Sequence, residues 1–276
     1  MLRRTFIAGA ATVILSGCAA VTTRSPATLP PPPPPAAPTP GALPRPRPSA
    51  IGAPVPVPQP APALARVPVP AGSLFGLPGD GALLAWTVDD GTSEEVVGRY
   101  IRFAAESGTR LTFFLNGTYE AWTIHADLLR PLVQSGQIQL GNHTWSHSDL
   151  TGLTDAAVTE ELRRNHDFIT ELYGVDARPY FRPSYAFHDE RVDSLAADLG
   201  YTVPTLWYGS LSDSGLITEQ RVLDFAGEWF QPGHIVIGHL NFPPVTQVFP
   251  QLRALVAERG LRTVTLNDVF TCPAHP

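Results

Sequence analysis

Lysine is missing from this chain of 276 residues, whose 19 basic residues are all arginine. With 25 acidic residues the formal net charge is −6, and the second half carries no basic cluster. A nucleic-acid surface needs a positive patch, so that class of partner is excluded. The arginine-only usage reads as composition bias rather than phosphate recognition. Cysteine is nearly as scarce, at two residues, Cys18 and Cys272. A disulfide framework is therefore excluded, and stability has to come from a buried apolar core. Cys272 stands beside Pro273 without catalytic neighbours and reads as incidental. The apolar run from Phe6 to Leu15 is too short for a stable membrane span.

That short run has the layout of an export signal. Arg3 and Arg4 precede it, and small residues lead on to Leu15-Ser16-Gly17-Cys18. The tetrapeptide resembles a bacterial lipobox, which implies a signal peptide over 1–17 and lipidation of Cys18. Arg3-Arg4-Thr5-Phe6-Ile7 also resembles a twin-arginine export signal. The expected protein is exported and held on the cell membrane by its lipid, facing the cell wall or periplasm.

Proline is abundant where cysteine is not. Residues 26–70 hold 19 of the 30 prolines, and Pro30 to Pro35 is unbroken. Proline fixes φ and removes a donor, so the linker over 18–71 is expected to form neither helix nor sheet. It reads as a disordered but stiff, extended spacer; at ~3.1 Å per residue, about 50 residues reach ~150 Å. A recognition tract for a partner domain is the alternative.

From 72 to 276 the composition suits one domain. Strands are expected over 83–88, 111–115, 138–142, 179–182, 202–207, 234–238 and 262–266. Leu111 to Leu115 and Ile235 to Ile237 look buried on both faces. Helical periodicity lies between, over 93–107 and 155–173 and near 124–135, 190–199, 218–230 and 247–259. Thr92-x-x-Glu95 reads as a capping box and Gly108 as a C-cap. The alternation is that of an α/β fold with a mostly parallel sheet, for which a barrel and an open doubly wound sheet both fit. In either, function gathers at the C-terminal strand ends.

Polar residues cluster at those ends. Asp89-Asp90-Gly91 closes the first strand; alone it is good turn chemistry. Adjacent carboxylates alternate sides along a strand but can meet in one pocket where the chain bends at its end. Asn142-His143-Thr144-Trp145-Ser146-His147 leaves the third strand, and its two histidines converge if a helix starts at once. Arg182-Pro183-Ser184-Tyr185 follows the fourth, Trp207 to Asp213 the fifth, and Ile237-Gly238-His239 ends the sixth. His125, His166, His188, His234 and His275 keep a structural reading.

Thr87-Val88-Asp89-Asp90-Gly91, His143-Thr144-Trp145-Ser146-His147, Arg182-Pro183-Ser184-Tyr185 and Ile237-Gly238-His239 together resemble the polysaccharide deacetylase family, the NodB-homology domain of carbohydrate esterases. The motifs stand in family order, and the resemblance covers about residues 80–270. It implies a distorted (β/α) barrel of about seven strands. Val88, Thr92, Ser184 and Ala186 depart from the usual Phe, Pro, Pro and Gly, and Asp213 lacks the Trp that usually follows.

The implied activity is metal-dependent removal of acetyl groups from an N-acetylglucosamine-containing envelope polysaccharide, peptidoglycan or chitin-like. Asp90, His143 and His147 would hold a divalent metal, with Zn2+ most suited and Co2+, Ni2+ or Mn2+ alternatives. The metal would supply a polarised water as nucleophile. Asp89 would be general base, oriented by Arg182, and His239 general acid, supported by Asp213. The backbone N–H of Tyr185 would help hold the oxyanion. Trp207 and Ile237 would wall the acetyl methyl. O-acetyl esterase activity, a non-catalytic glycan-binding module and a non-haem iron oxygenase are the alternatives.

Overall fold

The computed structural model describes residues 63–79 and 81–271. The signal segment 1–17, Cys18, most of the proline-rich linker, Cys272 and His275 lie outside the described residues.

The strands are β1 (Val67–Pro68), β2 (Leu83–Asp90), β3 (Leu111–Leu115), β4 (Ile138–Asn142), β5 (Tyr180–Phe181), β6 (Val203–Pro204), β7 (Gly209–Ser210), β8 (Ile235–His239), β9 (Arg262–Thr263) and β10 (Phe270–Thr271). The helices are α1 (Glu94–Ser107), α2 (Ala121–Ile124), α3 (Ala126–Gln134), α4 (Asp155–Tyr173), α5 (Glu190–Asp198), α6 (Glu219–Trp229), α7 (Pro244–Gln247), α8 (Phe249–Glu258) and α9 (Leu266–Val269). Seven strands lie side by side in the order β6-β5-β4-β3-β2-β8-β7, every neighbour parallel, with β9 against the start of β2. This curled sheet with its helices is the distorted (β/α) barrel that the resemblance implied.

Strand alternation splits the core in two. On β2, Leu84, Trp86 and Val88 pack outward with Val97, Tyr100 and Ile101 of α1. Ala85 faces the other way, with Phe114, Tyr180 and Ile235. Trp86 anchors the outer layer against Tyr100, Phe230 and Phe249. Thr87 and Asp89 share the inward parity of Ala85, so the barrel interior turns from apolar to polar towards the end of β2. Gly108 caps α1 with φ 73°.

Four expectations are corrected. The run 202–207 is not one strand: β6 stops at Pro204 and the chain crosses to the opposite sheet edge as β7. Its N–H groups change partner on the way, from Phe181 (Thr205) to Leu74 (Leu206) to Ile235 (Tyr208). Leu74 bridges to Thr205 beside this crossing. The last strand is only Arg262–Thr263, and Leu266 already starts α9. The N-cap of α1 is Ser93, whose hydroxyl accepts from the Val96 N–H, and not Thr92. Val67–Pro68, inside the segment expected to form no sheet, pairs in parallel with Phe270–Thr271. A two-residue edge ladder needs few donors, and the Val69 N–H supplies one to Thr271 O.

Candidate active site

The C-terminal ends of β2, β4, β5 and β8 surround a cavity of about 460 Å³. Asp89, Asp90, His143, His147, Tyr185, Trp207, Ile237 and His239 all line it. Alternation would send Asp90 outward with Trp86 and Val88. Its φ of 76° turns it inward instead, and Gly91 follows at φ 112°. A side chain at 91 would run into the Trp122 ring, since an added Cβ meets Cζ2 at 2.4 Å.

Both carboxylates thereby reach one imidazole. His143 Nε2 is 3.5 Å from Asp89 Oδ2 and 3.4 Å from Asp90 Oδ1. His147 Nε2 is also 3.4 Å from Asp90 Oδ1. The histidines do not meet through an immediate helix, as the sequence suggested. Left-handed residues at Thr144 (φ 70°) and His147 (φ 60°) turn the loop, and the His147 N–H is held by Thr144 Oγ1. Buried asparagines brace that loop from below. Asn116 Nδ2 donates to His143 O and Thr144 O, Asn142 Oδ1 accepts from the Thr144 N–H, and Asn165 bridges Asn142 and Leu115 O.

Arg182 is completely buried, and its charge is met inside the barrel. Nη1 donates to Asp89 Oδ1 at 2.5 Å and to Thr87 Oγ1 at 2.9 Å; Nε and Nη2 donate to Thr205 O and Leu206 O. Its carbonyl accepts from His143 Nδ1 at 2.7 Å, which leaves Nε2 of that ring as the ligating nitrogen. The guanidinium also lies over Phe114, 4.1 Å from the ring centroid.

The two aspartates have different company. Asp89 is paired with the arginine. Asp90 has one oxygen on Asn241 Nδ2 at 2.6 Å, while the other, Oδ1, is buried with no hydrogen bond. Burial pushes the Asp90 carboxyl up, but the His143 imidazole beside it, the His239 charge and the Asn241 bond outweigh it and hold the group well below the usual range. Burial, reinforced by the His143 charge, lowers His147. Two ligand atoms each about 2.1 Å from a tetrahedral ion stand about 3.4 Å apart. The unbonded Asp90 oxygen lies at 3.4 Å from both imidazole nitrogens, and the three ligand atoms fall within 4.8 Å of one another. One carboxylate and two imidazoles of this spacing fit a divalent metal.

Across the cavity, His239 Nδ1 meets Asp213 Oδ1 at 3.0 Å. Burial alone would lower the His239 pKa; the Asp213 bond and charge, with the Asp89 and Asp90 charges, raise it. Asp213 reaches this place from a loop turned by Ser212 (φ 55°). Tyr185 sits at φ 58°, its exposed ring 4.5 Å from that of His147, and among the described residues its N–H takes no backbone acceptor. His125, His166, His188 and His234 each bond a local partner outside the cavity.

Sequence reading missed Asn116, Asn165 and Asn241. Asn165 lies far from the motifs in sequence, whereas Asn116, directly after the strand ending at Leu115, and Asn241, two residues past His239, had a positional clue.

A family model described as polysaccharide deacetylase matches residues 77–204. A chitin deacetylase of Arthroderma benhamiae is 26% identical over 197 residues, 69% of this chain and 52% of that protein. An uncharacterised 30.6 kDa protein of Geobacillus stearothermophilus is 30% identical over 187 residues, 66% of this chain and 69% of that protein. The chain thus spans about half the length of the first relative and about two thirds of the second. A crystal structure of a peptidoglycan N-acetylglucosamine deacetylase superposes with a TM-score of 0.64 at 20% identity, covering 72% of this chain and 92% of that one, which bears on the fold. From the motifs, the barrel and these matches, the chain belongs to the polysaccharide deacetylase family.

Proposed function

We propose that this protein is a metal-dependent deacetylase acting on an N-acetylated cell-envelope glycan, peptidoglycan or a chitin-like polymer. The observation that carries the reading is the division between the adjacent aspartates. One is tied to a buried arginine and the other presents an unbonded oxygen to two imidazoles. Such a pair separates proton transfer from metal binding at one strand end.

Asp90, His143 and His147 would hold the ion, Zn2+ being the best match to this donor set. When bound, the ion supplies a polarised water and a Lewis acid for the acyl oxygen. Asp89 takes the proton of the attacking water, with Arg182 fixing its carboxylate. His239 gives a proton to the departing nitrogen from Nε2, because Nδ1 is engaged by Asp213. The Tyr185 N–H offers a hydrogen bond to the developing oxyanion. Trp207 and Ile237 form an apolar wall beside the acetyl methyl.

The lipobox-like Cys18 and the proline-rich spacer support attachment to the outer face of the cell membrane, within reach of an insoluble substrate. The similarity to a chitin deacetylase supports the substrate class. The test is acetate release by the purified protein from chito-oligosaccharide, peptidoglycan and O-acetylated xylan, with and without added divalent ions. Metal-dependent release from the first two supports the reading. Release from xylan alone makes the protein an ester hydrolase, and binding without release makes it a glycan-binding module.

A further inference from the structure

Thr92 and Asn241 take no part in the roles above, yet they form a continuous link to Asp90. Asn241 Nδ2 donates to Asp90 Oδ2 at 2.6 Å. Asn241 Oδ1 accepts from the Thr92 hydroxyl at 2.8 Å and from the Thr92 N–H at 3.4 Å. The amide cannot be turned round: an ionised carboxylate only accepts and a backbone N–H only donates, so each end of the amide faces the one group it can bond. Backbone bonds hold the two segments in register, from the Leu240 N–H to Asp89 O at 2.9 Å and from the Ser93 N–H to Leu240 O at 3.2 Å.

The link divides the two oxygens of Asp90. Oδ2 is spent on Asn241, whereas Oδ1 is buried, unbonded and directed at His143 and His147. Without Asn241 the carboxylate would keep its torsional freedom, and either oxygen or both could swing towards the imidazoles.

We propose that Thr92 and Asn241 are a positioning pair that sets the rotamer of Asp90 so that a single oxygen is offered to the metal; the proposal rests on the reading of Asp90, His143 and His147 as a metal site. One member of the pair departs from the resembled motif. Thr92 stands where the resembled motif usually has proline, which supplies neither an N–H nor a hydroxyl.

The full chain is stripped of metal, its zinc dissociation constant is measured by competition with a chromogenic chelator, and the metal-free form is melted. Asn241→Ala and Thr92→Val should bind zinc about 10–100-fold more weakly. Their metal-free forms should melt with the unmodified protein. Thr92→Ser keeps the hydroxyl and should restore affinity to within about threefold. If Asn241→Ala fails to fold, Thr92→Val against Thr92→Ser decides alone, since Thr92 is exposed. Unchanged zinc affinity in Thr92→Val and Asn241→Ala, with affinity lost in His143→Ala, overturns the positioning pair and leaves the metal site standing. Unchanged affinity in His143→Ala as well overturns the metal site and the pair with it.

Discussion

At the scale of the residue, the site works by giving chemically identical groups different neighbours. Asp89 and Asp90 are adjacent, but only one touches Arg182 and only one touches Asn241. Asp89→Asn is expected to retain zinc, measured by metal analysis, while turnover falls by about 10²–10⁴-fold. Near-normal acetate release from that variant would reject Asp89 as the base. On the proposed mechanism, His239 and Asp213 set the pH behaviour. His239 has a raised pKa, so its acid form persists to higher pH than that of a free imidazole. Asp213→Asn removes the bond and charge that outweigh burial, so the alkaline limb of kcat should move to lower pH; an unmoved limb would separate Asp213 from the acid. The sign for stability is consistent. A raised histidine stabilises the fold below its unfolded pKa of about 6.5, and that contribution is lost as pH rises through the folded value.

At the scale of the element, strand ends and the turns after them do the placing. The motif residues of β2 converge because Asp90 and Gly91 both adopt positive φ, the second where no side chain fits. Gly91→Ala should cost about 2–4 kcal/mol in denaturant unfolding, from left-handed strain plus overlap with Trp122. It should also weaken zinc binding, because Asp90 moves with it. The His-x-x-x-His loop shows how much of such a site was legible. Residue types and strand-end position announced His143 and His147. The turn joining them was not announced, since it begins at Thr144, a β-branched residue rarely found at positive φ. The departures from the family pattern also find partners. Ser184 Oγ lies 3.2 Å from Thr144 Oγ1, an interaction that proline cannot make. Ala186 stands at φ 60°, where glycine would carry no strain.

At the scale of the whole molecule, the barrel is one part of a longer chain. Among the described residues no helix is long and apolar enough to cross a membrane. The proposed attachment is assigned to the lipobox-like Cys18. Cys18→Ala should shift the protein from the membrane fraction of expressing cells to the soluble fraction, read by immunoblot. Its acetate release from soluble oligosaccharide should stay unchanged, because the substitution lies far in sequence from the site. Retention of that variant on membranes would remove the lipid anchor from the proposal.

The sequence by itself determined the parallel α/β class, the core strands and the residue types that carry the chemistry, because burial periodicity and motif order are local properties of the chain. The tertiary structure alone decided the crossing from β6 to the opposite sheet edge, where the N–H groups of Thr205, Leu206 and Tyr208 take three different partners. It alone joined Thr92 to Asn241, 149 positions away. Long-range hydrogen bonds depend on which strand ends become neighbours, and no local pattern encodes that choice. Asp89-Asp90-Gly91 is good turn chemistry when read alone; the resemblance already implied different roles for the two carboxylates, and the tertiary structure supplied the neighbours that set them apart, Arg182 on Asp89 and Asn241 on Asp90.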